Sequence, residues 1–382
     1  MTILDVEHLK VAYRRPDQGH GPALETVRDV SFSVAAGESL GVVGESGCGK
    51  SQTMLAVLRM LGHGGAEISG RIGFDGRDLA TLGPKEMRRI RGSGIGLVSQ
   101  DALSALNPAM TIGAQMAEPL IHYDRMSRRA ATARCAELLD LVGIPGARER
   151  LRSYPHELSG GMRQRVLIAM AISRDPKVLI ADEPTTALDV TIQSQVLQLI
   201  DRLRRELRMA LVLITHDLGV VAGITDRIAV MYAGRIVELA PTTALFDAPG
   251  HPYTRALMHS IPRMDRARVD RLPAIPGFPP DPADPPPGCA YQPRCTTARP
   301  ECGDSVPELL TITTGTPGHT VRCPFTAPED SGSRDTAPGE PTQDPAPPED
   351  TESAVPQGTR SAAPEGTGPA DTTAPAPRGD RA

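Results

Sequence analysis

An α/β fold built on a mostly parallel sheet is what this sequence predicts, and three observations carry the prediction. Residues 38–44, ESLGVVG, run as an apolar strand into the glycine-rich stretch GESGCGKS and on into SQTMLAVLRML, whose apolar residues recur at helical spacing. Two further apolar runs, VLIAD (Val178 to Asp182) and ALVLIT (Ala210 to Thr215), are separated by the helical segment TIQSQVLQLIDRLRREL. Strand, helix, strand in that order implies parallel pairing, because a parallel partner is reached only by a long crossover connection. Third, more than a hundred residues lie between the first and second of these strands, and their helical pattern, as in SRRAATARCAELLDLVGI, predicts an inserted helical subdomain at about 101–170.

The remaining elements follow in order. VSFSV from Val30 alternates apolar and polar residues and supplies an antiparallel β subdomain, while IAVMYAGRIVEL reads as a hairpin turning at Ala233 and Gly234. After about His251 the composition becomes proline-rich and irregular and holds four of the six cysteines, which predicts a small appendage over 251–326 beyond a main domain over 1–250. From Ala327 onward the chain is Pro, Ala, Thr, Glu and Gly with almost no large apolar residue, so 327–382 is expected to be a disordered tail.

Charge and composition remove several classes of function. The net charge of -5 is concentrated in the tail, which carries eleven acidic against four basic residues, leaving the rest close to neutral. That balance supplies no basic stripe for a nucleic-acid partner. The start MTILDVEHLK lacks the basic and apolar regions of a secretory signal, and no stretch approaches the roughly 18 apolar residues that span a bilayer, so the chain is expected to stay in the cytoplasm.

The chemistry lies at strand ends. In Gly44, Glu45, Ser46, Gly47, Cys48, Gly49, Lys50 and Ser51, followed by Gln52, glycines let consecutive backbone N–H groups turn inward on an anion at the positive end of a helix. This predicts a phosphate loop for a nucleotide, in which Lys50 would reach the β and γ phosphates and Ser51 would ligate Mg²⁺, and it leaves the class of NTPase open. Asp182 and Glu183 follow the apolar strand VLIA, at the end where parallel sheets place their ligands. There Asp182 would hold Mg²⁺ and Glu183 would act as general base toward water.

LSGGMRQR, Leu158 to Arg165, precedes that acidic strand, and with it the chain resembles the ATP-binding-cassette ATPases. The resemblance implies a phosphate-loop NTPase core, and a sandwich of two nucleotides in which Ser159, Gly160 and Gly161 face the γ-phosphate held by a second ATPase subunit. It also gives Gln100, after GIGLVSQ, a role at Mg²⁺ and the attacking water. His216, after ALVLIT, would contact the γ-phosphate, Tyr13 would stack on adenine, and Asp189 in TTALD fits the loop between the two ATP sites. Met162 stands where many cassettes carry glutamine.

QDALSALNP, HPYTRAL (His251 to Leu257) and IPGFPP (Ile275 to Pro280) resemble the dipeptide and oligopeptide importer branch, over about residues 1–325. That branch implies an ATP hydrolase on the cytoplasmic face of the membrane, two integral-membrane permease subunits, a paralogous second ATPase and an extracytoplasmic peptide-binding protein. The branch also contains importers of nickel and of some oligosaccharides. From another class, a soluble cassette acting on nucleic acid or the ribosome is the rival; against it stand the single cassette and the missing basic stripe.

Cys289, Cys295, Cys302 and Cys323 have five, six and twenty residues between successive members. Four thiols in a proline-rich segment of a reducing compartment read as a metal site. Close Cys-x-x-Cys pairs are absent and Cys323-Pro324 is similar to the cysteine-proline ending of ferredoxin-type runs, so a [4Fe-4S] cluster is expected ahead of Zn²⁺. Cys48 and Cys135 are expected to be small buried residues instead.

Overall fold

The computed structural model describes residues 1–14, 23–61, 65–186, 188–261, 274–312 and 316–325. The predicted tail at 327–382 therefore lies outside the described residues. Two sheets organise the rest. The larger contains strands β3 (Ser39–Val43), β6 (Ile95–Val98), β7 (Val178–Asp182), β8 (Ala210–Thr215), β9 (Arg227–Tyr232), β10 (Arg235–Pro241), β11 (Leu310–Thr311) and β12 (Thr320–Val321). Their order is β11-β12-β10-β9-β3-β8-β7-β6. The block β9-β3-β8-β7-β6 is parallel and β10 to β12 add antiparallel strands at one edge.

The smaller sheet is antiparallel, with β1 (Thr2–Tyr13) between β2 (Leu24–Ala35) and β4 (Ala66–Phe74), and the short β5 (Arg77–Asp78) at its edge. It covers one face of the parallel block. Leu4, Leu9, Val11 and Phe32 join Leu40, Val42, Ile180, Val212 and Ile214 in one apolar cluster, to which helix Lys50–Val57 adds Met54, Ala56 and Val57. On the opposite face Leu179, Ala181, Leu211 and Leu213 join Val166 and Ile168 of helix Gly160–Ile172 and Leu138 and Leu139 of helix Arg128–Leu141. Alternate side chains of one strand thus feed two cores, which is why these strands are continuous apolar runs and not half-polar ones.

Between β6 and β7 the chain forms helices Ile112–His122, Arg128–Leu141, Ala147–Arg150 and Gly160–Ile172. Thr111 and Ser127 cap the first two by accepting from Ala114 N and Ala130 N, so each helix begins where a hydroxyl can satisfy an orphan donor. The turn at Ala233 and Gly234 joins β9 to β10 with both residues at left-handed φ, 47° and 80°, as a two-residue hairpin requires.

The segment after His251 is more regular than its composition implies. Helix Pro252–His259 buries Tyr253, Thr254 and Leu257, and β12 pairs with β10 through Glu238↔Val321. The cysteine-bearing segment is thereby sewn into the main sheet and does not hang from it, a correction to the expectation of an irregular appendage. Backbone pairing across the sheet edge supplies the order that a proline-rich sequence conceals.

A candidate nucleotide site at the carboxyl ends of the parallel strands

The loop Gly44 to Ser51 leaves the end of β3 and enters helix Lys50–Val57. Gly44 tolerates no side chain, since a Cβ there would lie 2.2 Å from Met231 O, and Gly49 caps the helix at φ 101° with Thr26 O 2.7 Å from where its Cβ would be. The hairpin turn clamps the loop from behind, with Gly234 N donating to Cys48 O at 2.9 Å. Ser46 and Gly47 are exposed while Cys48, Gly49 and Lys50 are buried. Lys50 Nζ donates to the carbonyls of Gly44 (2.8 Å) and Glu45 (3.0 Å). Burial pushes the Cys48 thiol up, so it sits in the loop as a small neutral residue.

Across from the loop, Ser51 Oγ donates to Asp182 Oδ1 at 3.0 Å. A hydroxyl and a carboxylate side by side make an oxygen donor set that fits Mg²⁺. Burial holds the Asp182 carboxyl above its usual range and the neighbouring Glu183 adds to the rise, against the lowering effect of the Ser51 hydrogen bond and the Lys50 charge.

Glu183 is the hub. Its Oε2 accepts from Gln100 Nε2 at 3.1 Å and from Thr186 Oγ1 at 3.0 Å, and lies 3.4 Å from His216 Nδ1. Three separate strand ends, those of β6, β7 and β8, are needed to make that convergence. Glu183 itself has φ 45°, an unfavourable conformation for a residue with a side chain, retained because its N–H donates to Ile214 O at 2.9 Å. Thr186, the second residue of TTALD, is a member of this constellation that sequence reasoning passed over.

Tyr13 lies on the antiparallel sheet and its hydroxyl donates to Gln52 Oε1 at 2.5 Å, which places the ring beside the helix that follows the loop. Ser159 caps helix Gly160–Ile172, its Oγ accepting from Met162 N at 3.3 Å, and Ser159 and Gly160 are exposed. Among the described residues no hydrogen bond joins Ser159, Gly160 or Gly161 to the loop at Gly44 to Ser51. Asp189 likewise acts as a cap, accepting from Ile192 N at 2.9 Å.

The cysteines do not form the expected ligand set. Among the described residues no three His, Cys, Asp or Glu side chains converge as metal ligands, so neither a [4Fe-4S] cluster nor Zn²⁺ is matched by the geometry at Cys289, Cys295, Cys302 and Cys323. Local turns engage the sulfurs instead: Cys302 Sγ accepts from Arg299 N at 3.5 Å and Cys295 Sγ pairs with Thr297 Oγ1 at 3.4 Å. Burial pushes the Cys289 and Cys323 thiols up, favouring the neutral form.

With this geometry in view, comparison with known proteins places the chain. Residues 27–186 match the family model described as "ABC transporter", and residues 237–302 match "Oligopeptide/dipeptide transporter, C-terminal region". The chain belongs to the ABC transporter family, as an ATPase cassette. It is 48% identical over 322 residues to a putative peptide import ATP-binding protein of Brucella abortus, covering 84% of this chain and 94% of that one. It is 46% identical, at the same coverage, to the dipeptide transport ATP-binding protein DppD of Bacillus subtilis. Identity is 45% to the oligopeptide transport ATP-binding protein OppD of Salmonella typhimurium, over 80% of this chain and 90% of that one. Among solved structures, a dimeric ATP-binding cassette in a post-hydrolysis state with ADP and Pi superposes with a TM-score of 0.55 at 26% identity, over 63% of this chain and 99% of that one. Among the described residues no helix is long and apolar enough to cross a membrane.

Proposed function

We propose that this chain is the ATP-hydrolysing subunit that powers import of dipeptides or oligopeptides through a membrane permease. The observation that carries the hydrolytic part is the meeting of Gln100, Thr186 and His216 on one oxygen of Glu183, beside the phosphate loop. In this reading the loop N–H groups and Lys50 bind the β and γ phosphates, Lys50 exchanging its contacts with the loop carbonyls for phosphate oxygens. Ser51 and Asp182, with Gln100, hold Mg²⁺, which when bound supplies charge neutralisation on the phosphates. Glu183 orients water in line with the γ-phosphate and takes its proton, while Gln100 and His216 fix the carboxylate's direction. Tyr13 is assigned the stacking role on the base, supported by its hydroxyl contact with Gln52 in the helix that follows the loop.

Two surfaces support the partners. The helix N-terminus at Ser159 to Gly161, exposed at Ser159 and Gly160, makes no hydrogen bond to its own loop among the described residues, as expected if it faces the nucleotide of a second ATPase subunit, and a solved relative is a dimer. An open groove in the inserted helices is lined by Ala114, Ala117 and Ile121 and rimmed by Arg125, Arg129 and Arg152, a fit for an acidic, partly apolar segment of a permease. The peptide specificity rests on the relatives, which are peptide import, dipeptide transport and oligopeptide transport ATP-binding proteins. A peptide-binding protein outside the membrane completes the proposed assembly, placing this chain at the cytoplasmic face.

A [4Fe-4S] cluster at the four C-terminal cysteines, with Zn²⁺ as the alternative, would require their side chains to draw together from the unconverged arrangement seen here. Their support is that the fold holds them in one small segment, with Cys289 N donating to Cys302 O at 2.7 Å and Cys323 within electrostatic reach of both Cys295 and Cys302. Iron and zinc analysis of anaerobically purified protein separates the two, and metal-free protein removes both.

The central test is Glu183→Gln in the assembled transporter. ATP binding should persist while turnover falls about a hundredfold to ten-thousandfold, the range for loss of a positioned general base. Hydrolysis within a few-fold of the parent would show that Glu183 is not the base. Peptide uptake into vesicles, competed with nickel, checks the solute.

A further inference from the structure

Glu45, the second residue of the phosphate loop, is gripped by two residues that come from far along the chain. Arg294 Nη1 donates to Glu45 Oε2 at 2.8 Å and Nη2 to Oε1 at 3.0 Å, a two-pronged match of planar guanidinium to carboxylate. Tyr253 Oη accepts from Glu45 N at 2.9 Å. The grip is itself held fast. Arg294 is 8% exposed, donates through Nε to Pro276 O (2.9 Å) and through Nη1 to Tyr232 Oη (3.2 Å), and lies over the rings of Tyr232 and Tyr291. Tyr253 is fully buried and packs with the same two rings. Burial works to lower the Arg294 pKa, but the Glu45 and Tyr232 contacts outweigh it, so the guanidinium stays charged.

This grip falls where the loop's shape is decided. Glu45 follows Gly44, where no Cβ fits, and its carbonyl receives Lys50 Nζ at 3.0 Å. Fixing the N–H and the side chain of Glu45 therefore fixes the path by which the chain leaves β3 and opens toward a phosphate. We propose that Arg294 is a positioning residue for the ATP site: with Tyr253 it preforms the phosphate loop, making the C-terminal segment part of the nucleotide-binding machinery. Without the fork, the nucleotide must order the loop as it binds, and affinity falls by that ordering cost. The inference rests on the proposed ATP site.

The test is MgATP titration into the full-length chain carrying Glu45→Ala, Arg294→Met, both, or neither, with Lys50→Ala as control. Arg294→Met keeps much of the packing on the tyrosines but removes the fork. It should weaken MgATP binding about tenfold or more, and it should have little further effect once Glu45 is already alanine, because the two act as one unit. Arg294→Lys, which keeps charge without the two-pronged geometry, should lose affinity in the same direction and serves if the methionine variant does not fold. Affinity within twofold of the parent in folded Arg294→Met or Arg294→Lys protein overturns the inference. So do fully additive losses in the double variant, since a merely structural role would add. If the parent binds no MgATP, or Lys50→Ala binds it equally well, the ATP-site reading fails and this inference with it.

Discussion

Asp182 shows what the site costs its own fold. Burial, aided by the adjacent Glu183, holds its carboxyl above the usual range. A carboxyl raised in the folded state contributes stability while protonated, and that contribution is lost as pH rises past its ordinary value, so at neutral pH the fold carries an unfavourable charge. Asp182→Asn, which keeps the shape, should therefore raise the melting temperature of nucleotide-free and Mg²⁺-free protein at pH 7, by about 2–4 °C for each kcal/mol regained. The same variant should lose Mg²⁺-dependent hydrolysis; an unchanged or lower melting temperature would count against the electrostatic account. At this scale much of the site was legible: Gln100, Asp182, Glu183 and His216 each sit at or just beyond the end of an apolar strand, Ser51 lies in the first turn of the helix that follows the glycine loop, and topology dictates that such ends meet. Thr186 and Arg294 were not. A threonine hydroxyl aimed at Glu183 leaves no local mark, and Arg294 finds Glu45 only because the chain returns across 249 residues.

Helix Pro252–His259 is the element that composition concealed. Eight residues give a single buried i, i+4 pair, Tyr253 and Leu257, which is too short a run for periodicity to stand out from its surroundings. Its start is set by His251, whose Nδ1 accepts from Tyr253 N at 3.0 Å. Burial lowers the His251 pKa to about 4, with Arg255 and Arg322 reinforcing the shift and Glu238 opposing it. The neutral ring that can accept a hydrogen bond is thus built into the helix. Since the folded pKa lies below the unfolded value of about 6.5, the histidine's contribution is fully present above pH 6.5 and is lost as pH falls toward 4. Over that whole window the loss is on the order of 3 kcal/mol. His251→Asn, whose side-chain oxygen can accept the same bond, should flatten the acid side of the stability profile between pH 6.5 and 4. Chemical denaturation of both proteins across that range checks it, and parallel profiles would remove His251 from the explanation. By contrast the hairpin β9 to β10 was readable, because its turn is decided by two adjacent residues.

On the scale of the molecule, the parallel block was legible from its apolar strands, whereas the integration of the C-terminal segment was not, because it depends on which edge remains open after the cassette has folded. β10 offers that edge, β12 takes it, and Arg322 N donates to Val237 O at 2.8 Å just beyond. Buried Glu238 ties the junction, accepting from Gly250 N, His251 N and His319 Nε2. Farther back, Arg28 donates to Pro282 O at 2.8 Å, drawing the proline run over a cavity of about 380 Å³ beside Glu45, Ser46 and Gly47. Two truncations should therefore behave in opposite ways. Ending the chain after Pro328 removes a segment with almost no large apolar residue and should leave ATPase activity and melting temperature unchanged. Ending it after Pro273 removes β12, His319 and Arg294 together, leaving Glu238 buried without its histidine and Glu45 without its fork. Breaking one buried ion pair costs about 3–5 kcal/mol, a large share of the roughly 5–15 kcal/mol that holds a domain together. The shorter chain should thus be recovered insoluble, or soluble with a strongly lowered melting temperature and weakened MgATP binding. Melting curves and MgATP titrations of the two truncated chains measure this directly; a 273-residue protein that melts and binds like the parent would return the cysteine-bearing segment to the status of an independent appendage.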